Sequence, residues 1–192
     1  MKNSRLLHFI FGILFSSSVY SDIGDWTTYT NKADIRDIGI YKSSIWCATN
    51  GGAFKYNMTD STYEEFTNTD GLSSNDVNAV AADSMGNVWF GMSNGYINSY
   101  NNETRQWKVI DDIVEQKEHV IHDFALNGDS LFVGIDIGIS LYHHLYNEDS
   151  SEVKETYKNL GVGFNVEVPV KSVFLNGRDI WAGTDFGVSK SN

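Results

Sequence analysis

An aromatic residue followed six positions later by glycine occurs four times in this chain, in IWCATNGGAFKY from Ile45, VWFGMSNGYINSY from Val88, LFVGIDIGISLY from Leu131 and IWAGTDFGVSK from Ile180. The pairs are Trp46 with Gly52, Trp89 with Gly95, Phe132 with Gly138, and Trp181 with Gly187. A further glycine stands two residues after the aromatic in three copies (Gly91, Gly134, Gly183), and the first copy has Ala48 there. Successive aromatics are 43, 43 and 49 residues apart, with the extra residues of the last interval in the loop-rich stretch 146–169. A repeat of about 40 to 50 residues built from short strands is the period of propeller blades.

The second copy shows the unit most fully. Four strand-length segments, VNAVAA, VWFGM, YINSY and QWKVI, are separated by the turn-forming stretches DSMGN, SNG and NNET. The other copies supply IRDIGI, IWCAT, AFKY and YEEFT, then VIHDFAL, LFVGI, ISLYH and ETYKN, then VKSVFL, IWAGT and VSKS. Helical periodicity is absent outside the first twenty residues, and one Pro with 17 Gly suits strands and turns. The expected fold is therefore all-β: a β-propeller of four-stranded antiparallel blades at about 33–67, 75–110, 119–158 and 169–190. Each aromatic would fill the space between neighbouring blades. Each glycine would serve a hairpin turn or a close backbone approach.

TDGLSSNDVNAVAADSMGNVWFGMSNG, from Thr69 to Gly95, closely resembles the two-component regulator propeller repeat. The likeness is specific in the second copy, weaker in the first and fourth, and skeletal in the third. Met92 replaces the family's usual Thr, Ala48 its Gly, and no acidic turn with glycine precedes Trp46. Such repeats form periplasmic sensor propellers of hybrid two-component systems and also occur in PorZ-type surface proteins of type IX secretion. The start at GDWTTYTNKADIRDI and the passage VKETYKNLGV into SVFLNGRDIWAGTDFGVS are similar to the N-terminal propeller of the PorZ type. The resemblance spans about residues 24–190. It implies a non-enzymatic, exported module acting on other secretion or cell-surface proteins or on a glycan, with a ligand-sensing propeller as the alternative.

Several function classes are bounded by composition. Lys2 and Arg5 precede the apolar run LLHFIFGILF, and the small-residue stretch SSSVYS follows. That is the layout of a secretory signal peptide, expected over residues 1–21 with cleavage after Ser21. The run is ten residues long, against about 20 for a membrane-spanning helix, so no membrane span is expected after cleavage. The expected location is the periplasm, the outer-membrane surface or outside the cell. Removal of that segment leaves 12 basic against 25 acidic residues, a balance opposed to nucleic acid and to anionic membranes. The remaining 171 residues are enough for one substantial core and short for two domains. A lone Cys47 excludes an internal disulfide, and its alignment with Phe90, Val133 and Ala182 makes it an inert core thiol.

The binding face of a propeller is expected where the turns between second and third strands meet the blade-to-blade loops. Those loops are NTDGLSSND, DDIVEQKEH and NLGVGFNVEVP. Candidate acids there are Asp70, Asp76, Asp111, Asp112, Asp136 and Asp185, together with Glu115, Glu118 and Glu167. Carboxylates from several blades could gather a cation or a basic partner, or serve only as turn and cap residues. Tyr96 and Trp107 are possible sugar-stacking aromatics, or blade packing. His119 with His122, and His143 with His144, would point to opposite faces of a strand, so no metal site is expected. No nucleophile elbow, phosphate loop or HExxH motif occurs; no catalytic, cofactor or metal residue is assigned. The fourth repeat stops after its third strand, while WTTYT at 26–30 looks like an outer strand. That strand could close a four-bladed ring, or the four blades could be part of a larger propeller.

Overall fold

The computed structural model describes residues 33–113, 119–143, 153–161 and 167–191. The expected signal peptide, the WTTYT strand, Glu115, Glu118 and His144 lie outside them. The described residues form four antiparallel sheets in chain order. The first contains β1 (Ile35–Tyr41), β2 (Ser44–Thr49), β3 (Gly52–Asn57) and β4 (Tyr63–Phe66). The second contains β5 (Val77–Ala82), β6 (Asn87–Met92), β7 (Ile97–Asn101) and β8 (Trp107–Ile110). The third contains β9 (Ile121–Asn127), β10 (Ser130–Ile135), β11 (Gly138–Tyr142) and β12 (Val153–Tyr157). The fourth has three strands, β13 (Val170–Asn176), β14 (Asp179–Thr184) and β15 (Gly187–Lys190). Each sheet is a meander of neighbours, and β1, β5, β9 and β13 lie side by side in that order. The chain is an all-β, four-bladed propeller array whose first strands face the axis.

Three apolar layers hold the blades together. Trp46 and Phe90 lie in the layer between blades one and two, and Trp89 and Ile121 in that between two and three. Ile139, Val170 and Ala182 fill the third layer. Trp46 and Trp89 are 0% and 1% exposed, and truncating such a residue to Ala costs about 3–5 kcal/mol. Cys47 is a buried free thiol, and burial pushes its pKa up. Tyr96 and Trp107 pack against the first layer. The Trp107 ring lies 4.9 Å from that of Tyr100 and 5.8 Å from that of Phe66, so its face is occupied by neighbouring rings.

The glycines divide into two structural kinds. Added Cβ atoms would lie 2.3 Å from Ile121 Cγ2 at Gly91 and 2.8 Å from the Val170 carbonyl oxygen at Gly134. These positions must be bare because the next blade's first strand passes against them. Gly52 and Gly138 instead open third strands at φ of 111° and 141°, a region that side chains rarely occupy. The repeat is not uniform here. Trp89 pairs with Ser99, ten residues on, whereas Trp46 pairs with Lys55, nine on. The blade-two hairpin therefore holds one more residue, and Gly95 sits inside the turn rather than at the strand start. Counting along the sequence equates glycines that the register sets one position apart.

The acidic turn of the best-matching repeat has a specific function in the fold. Asp83 Oδ1 accepts hydrogen bonds from the backbone N–H groups of Met85 (2.8 Å) and Asn87 (2.9 Å). Its Oδ2 accepts from Asn87 Nδ2 (2.9 Å) and from the buried Trp89 indole (3.2 Å). The first repeat lacks that acid, and among the described residues the Trp46 indole Nε1 is buried without a hydrogen-bond partner.

Candidate functional site

The four first strands share one irregularity. Each skips a residue in its pairing with the second strand, at Arg36, Asn78, His122 and Lys171. A β-bulge re-aims the extra residue's side chain, and here it sets four polar groups at equivalent positions around one mouth of the array. The sequence carries the signal as apolar, polar, any, apolar: IRDI, VNAV, IHDF and VKSV. That spacing breaks strand alternation in every copy, and reasoning from the loops overlooked it.

Two of the bulged residues, Arg36 and Asn78, tie blades to one another, and His122 bonds within its own blade. Arg36 Nη1 donates to Asp76 Oδ1 and to Asn78 Oδ1, each at 2.5 Å. Asn78 Nδ2 donates to the Ile121 carbonyl of blade three (3.0 Å), and Ser93 Oγ lies 3.1 Å from Asn78 Oδ1. His122 Nε2 lies 2.8 Å from Asp136 Oδ1, and Asp136 Oδ2 accepts from Val120 N–H at 2.9 Å. Burial opposes ionisation of Asp136, but the Val120 N–H and the His122 and His119 imidazoles outweigh it and hold its pKa below the usual carboxylate value. His119 precedes β9, so the opposite-face geometry expected for His119 and His122 does not apply. Lys171 is exposed.

Two deeper carboxylates escaped the sequence reading. Asp37 Oδ2 accepts from Val80 N–H of the next blade (2.8 Å), and Asp123 Oδ2 accepts from Val173 N–H of the next (2.7 Å). Each Oδ1 also accepts from the following residue of its own strand, Ile38 or Phe124, at 2.8 Å. Asp37 and Asp123 occupy matching register positions, and Ala79 and Ser172 stand there in the other two blades. Burial raises the pKa of both carboxyls against the opposing pull of the backbone donors, and the charge of Asp37 raises Asp123 further.

The six acids proposed from the loops do not converge. Asp76 and Asp136 reach the bulged residues. Asp70 Oδ2 accepts from the N–H and hydroxyl of Thr67, at 2.8 and 2.9 Å, and folds its own loop. Asp112 Oδ2 accepts from Val153 N–H of blade three's outer strand (3.1 Å), with Asp111 beside it in sequence. Asp185 lies in the exposed β14–β15 turn, and Glu167 pairs with Lys158 at 2.8 Å. Among the described residues no group of three His, Cys, Asp or Glu could hold a metal ion. Ser130 Oγ lies 2.7 Å from His143 Nδ1, but at the opposite end of the strands from the bulges. The mouth therefore offers paired polar groups suited to hydrogen bonding.

Residues 71–94 match the model of the two component regulator propeller. In structure, Gly71 lies against Trp107, Leu72 and Val77 are buried, and Asp83 anchors Trp89. No curated protein matches the chain. Among solved structures, PorZ, a surface component of the type-IX secretion system of Porphyromonas gingivalis, superposes with a TM-score of 0.68 at 12% identity, over 88% of this chain and 22% of PorZ. The extracellular domain of BT3049 from B. thetaiotaomicron, described as a hybrid two component system, gives 0.55 at 18% identity, over 77% of this chain and 18% of that one. The computationally designed Ika4 protein gives 0.64 at 14% identity, covering 86% and 94%. The chain thus spans about a fifth of the two natural neighbours and nearly all of the designed one. It is a β-propeller, PorZ-like in fold, that carries a match to the two component regulator propeller over the loop and first two strands of its second blade.

Proposed function

We propose that this protein is a non-catalytic, exported propeller that serves as a protein- or glycan-interaction module in type IX secretion or cell-surface assembly. The superposition on PorZ over 88% of the chain is the observation that carries this reading. The mouth supports it, because the Arg36–Asp76 and His122–Asp136 pairs order its polar rim while Lys171 is exposed for contact. The match of residues 71–94 to the regulator propeller supports the non-catalytic reading. The expected leader over residues 1–21 and the acidic balance agree with an exported protein. A ligand-sensing role is the second reading, favoured by the fold shared with the BT3049 extracellular domain.

Deletion of the gene in its natural host tests the two together. A secretion module predicts that type IX cargo accumulates inside the cell envelope and that glycan-responsive transcription is unchanged. A sensor predicts the reverse, with normal cargo export. Normal behaviour in both assays would overturn both readings.

A further inference from the structure

In blades two and three the bulged residue of the first strand bonds to the turn between the second and third strands. Blade two makes this bond from neutral groups, Ser93 Oγ lying 3.1 Å from Asn78 Oδ1. The register places His122 where blade two has Asn78, and Asp136 where it has Ser93. Blade three therefore makes the same bond from two titratable groups, His122 Nε2 and Asp136 Oδ1, 2.8 Å apart. The other carboxylate oxygen accepts from Val120 N–H at 2.9 Å. One side chain thus fastens the β10–β11 turn both to the bulge of β9 and to the chain entering that strand. Blade four cannot repeat this, because Pro169 stands in the place of Val120 and has no N–H to give. Blade one has Asn50 in the place of Asp136, and its Arg36 reaches instead to Asp76 and Asn78 of blade two.

The strands packed against β9 bring few charges to this pair. β5, β6 and β10 carry no charged side chain. β13 brings Lys171, in the bulge equivalent to His122, and the chain entering β5 brings Asp76, paired with Arg36. On β9 itself Asp123 accepts from the N–H groups of Phe124 and Val173, and His119, just before the strand, favours the ionised form of Asp136. Lys171 and a charged His119 oppose positive charge on His122, Asp76 and ionised Asp123 favour it, and Asp136 favours it most because it is in direct contact. We propose that the His122–Asp136 pair is a pH latch that orders the mouth at blade three as the surroundings turn mildly acid, a regulation that rests on the mouth being the contact surface. Imidazole changes charge between about pH 5 and about pH 8, and Asp136 stays ionised there because its pKa is held below 3.8. Adding the proton turns a neutral hydrogen bond into a charge-assisted one. The closed latch binds that proton more tightly than the open one, so acid closes it. The same proton adds positive charge to the ring of bulged residues, and pH thereby sets both the order and the charge that a partner meets.

Amide exchange of Val120 followed by NMR, corrected for the intrinsic dependence of exchange on pH, tests this without any partner. The reference is Ser93 N–H, which is bonded to the Asp76 carbonyl (3.0 Å) at the equivalent place in blade two. The expected result is protection of Val120, relative to Ser93, about 3- to 5-fold greater at about pH 5 than at about pH 8, the effect of a partly exposed ion pair over the range in which imidazole titrates. His122→Asn, which gives blade three the residue that blade two carries, should abolish the change, and His119→Asn should keep it. Protection that does not rise on acidification overturns the proposal. So does a rise that survives His122→Asn, or one that His119→Asn removes. Cargo export is measured independently, so failure of the latch leaves the secretion reading standing, and failure of that reading leaves the exchange result unchanged.

Discussion

Replacing Asp83 by Ala should destabilise this protein far more than its place in a surface turn would suggest. The carboxylate is 6% exposed and accepts four hydrogen bonds, two from backbone N–H groups and two from the side chains of Asn87 and Trp89. Water can replace it at the turn backbone. It cannot reach the indole N–H, because Trp89 is 1% exposed. Leaving one buried donor unsatisfied costs about 1–3 kcal/mol, and hydrogen bonds to a charged acceptor contribute about 1.5–3 kcal/mol each. The terms overlap, so the expected loss for Asp83→Ala is about 3–5 kcal/mol, and for Asp83→Asn, which keeps one acceptor oxygen, about 1–2 kcal/mol. Urea unfolding followed by circular dichroism, with the slope checked against the parent, measures both. The first repeat supplies a control: Trp46→Phe removes an indole N–H that has no partner, while Trp89→Phe also strips Asp83 of a donor. An Asp83→Ala protein within about 0.5 kcal/mol of the parent, the range of ordinary surface changes, would refute the reasoning.

Gly91→Ala places a methyl 2.3 Å from Ile121 Cγ2 and 2.9 Å from Phe124 Cζ, so a loss of about 1–3 kcal/mol by chemical denaturation is expected from overpacking. Gly128→Ala, at φ of 60° with nothing within 4 Å, should cost about 1–2 kcal/mol, from backbone conformation alone. Asp37 and Asp123 have pKa values raised by burial above the ordinary 3.8; their protonated forms are therefore favoured by folding. Their contribution to stability is greatest below 3.8 and is lost as pH rises through the raised folded values. Stability measured across that window should fall less steeply with pH in an Asp37→Asn/Asp123→Asn double variant, and an unchanged slope would contradict the assignment. Asp136 acts in the opposite sense, its stabilisation being present above 3.8 and lost as pH falls through its lowered value. His122→Ala should shrink that acid-side loss.

Much of this fold was legible before any coordinates. Trp46 and Trp89 fill the buried position that the recurring aromatic was expected to mark, whereas Phe132 and Trp181 are only half-buried, and the third layer is filled by Ile139, Val170 and Ala182 instead. Gly91 and Gly134 report the passage of a neighbouring strand. Such requirements are local to one repeat and recur at its period. The departures noted in the sequence also had structural meaning, since the missing acidic turn before Trp46 leaves its indole unpartnered. The polar mouth was legible in principle, in the IRDI, VNAV, IHDF and VKSV spacing, but attention to loop acids passed over it. Asp residues fill turns for backbone reasons, so their abundance in loops said little about convergence.

By itself, then, the sequence determined the blade count of the array, the buried tryptophans of its first two layers and the glycines that let strands approach, because each is dictated by contacts within one repeat or across one junction. Only the tertiary structure decided which carboxylates meet, that Gly95 stands out of register with its counterparts, and that Asp37 and Asp123 reach across to the next blade. Those depend on how strands are paired and how blades are rotated about a common axis, and pairing between distant segments leaves no mark at any single position of the chain.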